Sequence, residues 1–128
     1  MSDKDLITLS TLEDILFSIK LILKRFESIK SSSDFLEDDG LEKLDSISMR
    51  LIAIGEGFKK IDKLTNKELL SKYPTINWKG VKGVRDILSH HYFDMDAETI
   101  FKICNEDLYD LLKVTQDMIN NIKTKELR

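Results

Sequence analysis

The sequence predicts an all-α fold, a bundle of four to five helices in one domain, and three observations indicate it. Proline occurs once, at Pro74, so long helices can run without interruption. Apolar residues repeat at steps of three and four, which is the spacing of one helix face. No segment has the apolar–polar alternation that is typical of a strand. Because 128 residues are the length of one domain, we expect residues 1–128 to fold as a single unit.

The first predicted helix runs from about Thr11 to Ile29. Ser10 and Glu13 have the spacing of a capping box, which predicts that the helix begins just after Ser10. The serines at 31–33 interrupt the pattern and mark its end. The apolar stripe of this helix consists of Leu12, Ile15, Leu16, Ile19, Ile22, Leu23, Phe26 and Ile29.

The second predicted helix runs from about Leu41 to Leu64. It contains Gly55 and Gly57, each of which costs about 0.5–1 kcal/mol relative to alanine in a helix. The pair therefore indicates close approach to the backbone, either by another helix or by a ligand. The apolar stripe consists of Leu44, Ile47, Leu51, Ile54, Phe58 and Ile61.

The remaining chain predicts two short helices and a long one. Residues Asn66–Ser71 fit a helical turn, and Lys79–His90 fit a fourth helix. The fifth helix is expected to begin at an Asp96 cap and to end near Ile122. The pattern is compatible with a kink in this helix near Asn105. The last residues, 123–128, are expected to form a frayed tail.

Charge and composition limit the possible partners. The formal net charge of −3 argues against binding of nucleic acid over the whole surface. The distribution is uneven, because residues 34–45 hold six acids and one lysine, whereas residues 71–85 hold three lysines and Arg85 without an acid. Any phosphate should therefore approach the second region.

A single cysteine, Cys104, excludes an intrachain disulfide and fits a reducing compartment, and we expect it in the core. Neither a signal peptide nor a run of about 20 apolar residues is visible. The sequence therefore predicts a cytoplasmic protein that does not enter the membrane.

The most concentrated chemistry lies in the string VRDILSHHYFDMD, which holds both histidines of the chain, His90 and His91. A histidine, whose ordinary pKa is about 6.5, can act as base or acid near neutrality. The planar fork of Arg85 fits phosphate oxygens. Tyr92 can donate a hydrogen bond to a phosphate, and Asp86 can orient Arg85 or His90. The alternative is a histidine that only interacts with the last carbonyls of a helix.

Helical geometry separates these groups. Residues five apart lie about 140° apart around a helix axis, whereas residues seven apart nearly share a face. Arg85 then aligns with Tyr92 and not with His90. Either the helix ends before His90, or the active site gathers residues from two chains across a two-fold axis.

The spacing Arg85-x(4)-His90-x-Tyr92 matches the signature of the HepT-type HEPN toxins, and other segments resemble this family too. They are the glycine–glutamate segment IAIGEGFKKI, Trp78 before the motif, and DAETIFKICNEDLYDLL in the last helix. The resemblance covers nearly the whole chain. It implies a HEPN-type bundle, a homodimer with the catalytic cleft at its interface, and a ribonuclease that needs neither metal nor cofactor.

The same resemblance implies the roles of the site residues. Arg85 and His90 would be catalytic, with Asp86 and Tyr92 in support, in a transesterification of RNA by the 2′-hydroxyl that leaves a 2′,3′-cyclic phosphate. The implied partner is an MNT-type nucleotidyltransferase antitoxin, which would transfer AMP to Tyr92. A non-catalytic subunit that presents nucleotide or substrate to such a nucleotidyltransferase is the alternative.

Several nearby residues allow two interpretations. Lys79, Lys82 and Arg85 lie three apart, so they form either a positive track for RNA or a solvated face. Trp78 lies either at the entrance of the cleft or in the core. Glu56 either reaches the cleft or is a surface carboxylate. A metal cluster is not predicted, because Asp94 and Asp96 with the two histidines fit no established ligand spacing.

Overall fold

The structure, a computed structural model, describes residues 1–89 and 97–126. Within these ranges the chain forms helices and no strand, which confirms the predicted all-α fold. A 3-10 helix lies at Ser32–Leu36, and a π-helical turn lies at Ile103–Asp107. The α-helices are α1 (Asp3–Phe26), α2 (Asp38–Leu64), α3 (Glu68–Ser71), α4 (Trp78–Lys82), α5 (Val84–Ser89), α6 (Ala97–Lys102) and α7 (Leu108–Glu126).

The first helix begins eight residues before its predicted start. Ser2 is the N-cap, and its hydroxyl accepts a hydrogen bond from the Asp5 amide at 3.1 Å. Asp3 and Asp5 also place negative charge in the first turn, where the helix dipole favours it. The predicted Ser10 capping box is therefore wrong, because a second serine–acid signal lies closer to the N-terminus and the helix continues through Ser10.

The core lies between α1, α2 and α7, and both predicted apolar stripes face it. Burial of these side chains is the main stabilising contribution to the bundle. At the end of α1, the Phe26 ring packs against Phe35 of the 3-10 helix and Phe101 of α6. The largest fully buried side chains are Phe35, Phe58, Leu12, Ile19, Ile22, Leu44, Ile47, Ile54, Ile61, Ile100, Leu108 and Met118.

The two glycines of α2 lie where other elements approach its backbone. A Cβ atom at Gly55 would lie 2.6 Å from the carbonyl oxygen of Val81, and one at Gly57 would lie 2.9 Å from Cδ1 of Ile15. These contacts confirm the predicted close approach and assign it to neighbouring helical elements. Gly55 therefore lets the α4–α5 segment pack directly against α2.

The predicted fourth helix is two short helices, α4 and α5, which meet at Gly83. The Gly83 amide donates to the carbonyl of Lys79, while its own carbonyl accepts from the Asp86 amide. A single helix over Lys79–His90 was therefore a wrong prediction for the described part, because the chain closes one helix and starts the next at this glycine. Lys82 and Arg85 consequently belong to different helices.

The last predicted helix is irregular where the sequence suggested a kink. The π-helical turn includes Asn105 and joins α6 to α7, and α7 continues through Glu126, beyond the expected end near Ile122. Cys104 in this turn is fully buried, as predicted, and burial raises the pKa of its thiol to about 12. The predicted Asp96 cap and the final two residues lie outside the described ranges.

Across the described ranges, no helix has the length and apolar character to span a membrane.

Candidate active site

The segment that carries Arg85 is anchored against α2 by apolar side chains. Val84 and Leu88 of α5 are four residues apart, share one face of the helix, and are both buried. Arg85, Asp86 and Ile87 lie on the remaining surface and are exposed. The fold therefore presents the guanidinium and the following carboxylate to solvent from a fixed backbone.

Arg85 meets a carboxylate of α2. Its Nη1 atom lies 3.9 Å from Oε1 of Glu56, and the two side chains are 65% and 44% exposed. The same Glu56 oxygen lies 3.6 Å from Nζ of Lys59. Glu56 is therefore a surface carboxylate that lies beside Arg85, and whether it reaches a catalytic cleft stays a prediction.

Lys82 has a shorter and more shielded contact. Its ammonium donates to Oδ2 of Asp62 at 2.7 Å, and Asp62 is buried against the junction of α2 and α4. Lys79 is exposed. Sequence reasoning missed Asp62, although an acid in the last turns of an amphipathic helix, directly after the buried Ile61, was a signal for a charge that needs a partner.

Trp78 is half-buried and packs against the core, which supports the packing interpretation of this residue. Its ring lies 4.9 Å from the Phe58 ring, and its indole N–H donates to the Tyr73 carbonyl at 2.9 Å. At the start of α4, the Asn77 side chain caps the helix by accepting from the Gly80 amide. Together these contacts fix where α4 begins, and thus where Arg85 lies.

The loop before α4 is tied to α7 by a polar network that sequence reasoning did not find. The Tyr73 hydroxyl donates to the Asp117 carboxylate at 2.7 Å, and the Asn121 amide donates to both groups at 3.3 Å. Burial, together with the Asp117 carboxylate, raises the pKa of Tyr73 to about 12. The residues are 44 to 48 positions apart in sequence, so no local pattern signals the contact.

A groove of about 460 Å³ lies beside Glu56, between α1 and α2. Within it the Arg50 guanidinium donates to the Ser18 hydroxyl at 3.3 Å and lies 5.9 Å from the centre of the exposed Phe17 ring. The charged side chains of the groove are of both signs. They are Asp14, Arg50, Glu56 and Lys60.

The other predicted site residues fall outside the described ranges. They are His90 and Tyr92, and the same holds for His91, Asp94 and Asp96, which were not predicted to bind a metal. The angular relation between Arg85 and His90 therefore stays a prediction, as do the roles of His90 and Tyr92. Among the residues that are described, no group of three or more histidine, cysteine or acidic side chains is arranged to hold a metal ion.

Comparisons with known proteins find similarity to proteins described as ribonucleases. The family model described as "Ribonuclease HepT-like" matches residues 15–118. A Methanocaldococcus jannaschii protein named "Putative RNase" is 30% identical over 115 residues, which cover 90% of this chain and 89% of the relative. A Caldanaerobacter subterraneus protein with the same kind of name is 29% identical, over 88% of this chain and 94% of the relative.

A third relative carries a more specific name. The "Probable ribonuclease HepT" of Thermococcus cleftensis is 32% identical over 100 residues, which cover 78% of this chain and 84% of the relative. No solved structure was found to match the chain significantly.

Proposed function

Because the chain belongs to the HepT-like ribonuclease family, we propose that it is a metal-independent endoribonuclease and the toxin of a toxin–antitoxin pair. The observation that carries the proposal is the family match over residues 15–118, which contains the whole Arg85-x(4)-His90-x-Tyr92 motif. The position of Arg85 supports the proposal. Its guanidinium is exposed, while buried side chains anchor the helix that carries it, and a residue that binds phosphate must be both accessible and fixed.

The proposed reaction is an internal transesterification of RNA. The 2′-oxygen attacks phosphorus while a base takes its proton, and the bond from phosphorus to the 5′-oxygen breaks as an acid protonates that oxygen. The products are a 2′,3′-cyclic phosphate and a 5′-hydroxyl. His90 supplies the proton transfers, each of which contributes about 10²–10⁴-fold to such reactions. Arg85 stabilises the negative charge that builds on the phosphate oxygens.

Asp86 and Tyr92 have supporting roles in this proposal. Asp86 follows Arg85 on the exposed part of α5, and its proposed role is to orient the guanidinium or a histidine. Tyr92 donates a hydrogen bond to the bound phosphate. Lys79 remains a candidate for the RNA track, because it is exposed on α4. Lys82 is the weaker candidate, because the Asp62 carboxylate already holds its ammonium.

The active form is proposed to be a homodimer in which two copies of the motif meet. Two copies of His90 would then be available, one as base and one as acid. The support is membership of the family, together with the helical spacing, which separates Arg85 from His90 by about 140° on one regular helix. A heterodimer with one His90→Ala subunit should therefore lose most of its activity, and full activity of that heterodimer would contradict the two-histidine arrangement.

The inhibitory partner is proposed to be an MNT-type nucleotidyltransferase that transfers AMP to Tyr92 in the cytoplasm. The Tyr92 oxygen would attack the α-phosphorus of ATP and release pyrophosphate, and the phosphate and nucleoside of the added AMP would repel RNA from the arginine and block the cleft. With purified antitoxin, ATP should be required for lasting inhibition of the wild type. The Tyr92→Phe protein should escape, and its ATP-independent neutralisation would count against this mode of control.

Expression in a bacterial host tests the proposed function. Wild type should arrest growth and fragment cellular RNA, whereas His90→Ala and Arg85→Ala should do neither at equal protein levels. Lys63→Ala is a suitable control, since it removes an exposed cation of α2 that does not belong to the motif. Equal effects of wild type and His90→Ala would contradict a ribonuclease centred on His90.

A further inference from the structure

Two acidic residues of α2 meet the cations of the α4–α5 segment, and the two contacts differ in kind. The Asp62–Lys82 contact is 2.7 Å long and largely shielded from solvent. The Glu56–Arg85 contact is 3.9 Å long, joins one nitrogen to one oxygen, and leaves both side chains substantially exposed. The Asp62–Lys82 contact fixes the α4–α5 segment on α2, whereas the Glu56–Arg85 contact can give way to another ligand of Arg85.

The Glu56–Arg85 contact is too long for a hydrogen bond, which requires about 2.7–3.2 Å between nitrogen and oxygen. It therefore leaves the donor fork of the guanidinium available for a bidentate ligand. A phosphodiester can accept two hydrogen bonds from that fork, which is the stronger arrangement. A phosphate that binds this fork makes the stronger contact, so it would replace the Glu56 carboxylate as the counter-ion of Arg85.

The backbone keeps these two side chains near each other. Glu56 follows Gly55, whose missing Cβ allows the Val81 carbonyl and the Val84 side chain to reach α2. Val84 in turn directly precedes Arg85. The close approach at Gly55 therefore determines the separation of the carboxylate and the guanidinium.

We propose that Glu56 is a positioning residue, the resting counter-ion of Arg85, and that the phosphate of a bound RNA replaces it. This rests on the proposed function of the Arg85 motif and adds to it a residue from a second helix. In the free protein, the negative charge of Glu56 beside the guanidinium lowers the affinity of Arg85 for other anions. When RNA binds, the carboxylate turns to Lys59, which already lies 3.6 Å away.

Binding of a labelled single-stranded RNA in a His90→Ala background tests this without cleavage. Glu56→Gln should tighten binding about 1.5- to fivefold at low salt, the range that exposed ion pairs contribute to an equilibrium. The gain should fade at about 0.3 M salt, where exposed charges are screened. In an Arg85→Ala background the same substitution should have no effect, because the two residues act through each other.

Asp14→Asn is the matched control, since it removes the same charge from the groove that Glu56 lines. Its effect on RNA affinity should be the same with and without Arg85. In the active enzyme, Glu56→Gln should lower KM with less than about a twofold change in kcat, whereas a purely structural role would lower kcat and the melting temperature. Glu56→Ala, which should act in the same direction, guards against an effect particular to the amide.

The outcomes separate this inference from the function on which it rests. If Arg85→Ala weakens RNA binding but Glu56→Gln acts equally in both Arg85 backgrounds, the counter-ion role is overturned and the proposed function stands. If Arg85→Ala leaves RNA affinity unchanged, the phosphate role of Arg85 fails, and the inference fails with it.

Discussion

The Asp62 carboxylate accepts a hydrogen bond from the Lys82 ammonium at 2.7 Å, and this ion pair joins the end of α2 to the end of α4. Asp62 is buried, so its charge depends on this contact for compensation. Lys82 lies three residues before Arg85, so the pair holds the segment from which α5 begins.

Removing the lysine should therefore destabilise the protein. We expect Lys82→Met to lower the free energy of unfolding by about 3 kcal/mol, the low end for a broken buried pair because Lys82 is partly exposed. Lys79→Met, on the exposed part of the same helix, should stay within about 0.5 kcal/mol of wild type. Denaturant unfolding of both variants checks this.

The double variant Asp62→Leu/Lys82→Met should recover most of the lost stability, because no buried charge remains without a partner. Equal stabilities of Lys79→Met and Lys82→Met would show that the ion pair does not clamp the segment.

The two glycines of α2 should respond differently to alanine. At Gly55 the new methyl group would meet the Val81 backbone at 2.6 Å, so Gly55→Ala should cost about 1–3 kcal/mol and move α4–α5 away from α2. At Gly57 it would meet Cδ1 and Cγ1 of the Ile15 side chain at 2.9 and 3.0 Å, which can shift more readily than backbone, while helix propensity improves by about 1 kcal/mol. Thermal and denaturant unfolding should thus find Gly57→Ala nearly neutral, and the reverse order would contradict the packing.

Tyr73 should make the protein sensitive to alkali. Its pKa is about 12 in the folded protein, against an ordinary value of 10.0. Between these values the unfolded chain loses the proton and the folded protein keeps it, so stability falls as pH rises from about 10 to 12. Tyr73→Phe should remove this part of the decline in melting temperature, and Tyr109→Phe, at an exposed position, should not.

Cys104 should be inert in the native state. It is fully buried and its pKa is about 12, so very little thiolate exists near neutral pH. Because the chain has one cysteine, a thiol reagent should label the protein only after unfolding, and the labelling rate should follow the unfolded fraction. Rapid labelling of the folded protein would show that the π-helical turn opens readily.

The long helices were predictable because their apolar stripes extend over several turns. The Leu44 to Ile61 stripe located α2 within three residues at its start, and Gly55 and Gly57 indicated close packing. The start of α1 was missed because two serine–acid signals compete and local spacing does not choose between them. The break at Gly83 was missed because a glycine within a helical pattern is compatible with either a continuous helix or a new start.

In the candidate site too, some residues could be predicted from the sequence and others could not. A short motif named Arg85, His90 and Tyr92, because chemistry and spacing lie within eight residues of sequence. The Asp62–Lys82 and Tyr73–Asp117 contacts join residues 20 and 44 positions apart, so they depend on how the helices pack. Glu56 was visible in sequence as a residue with two interpretations, and only the fold brings it to Arg85.

The central claim is a ribonuclease that acts through Arg85 and His90 without a metal. Its most direct test is cleavage of total cellular RNA by the purified protein in EDTA, with His90→Ala and Arg85→Ala beside wild type and equal folding verified by circular dichroism. We predict fragments with 2′,3′-cyclic phosphate ends from wild type alone. Activity that EDTA abolishes, or that His90→Ala retains, would contradict the account, and absence of cleavage by every protein would favour a subunit that only binds nucleotide for its partner.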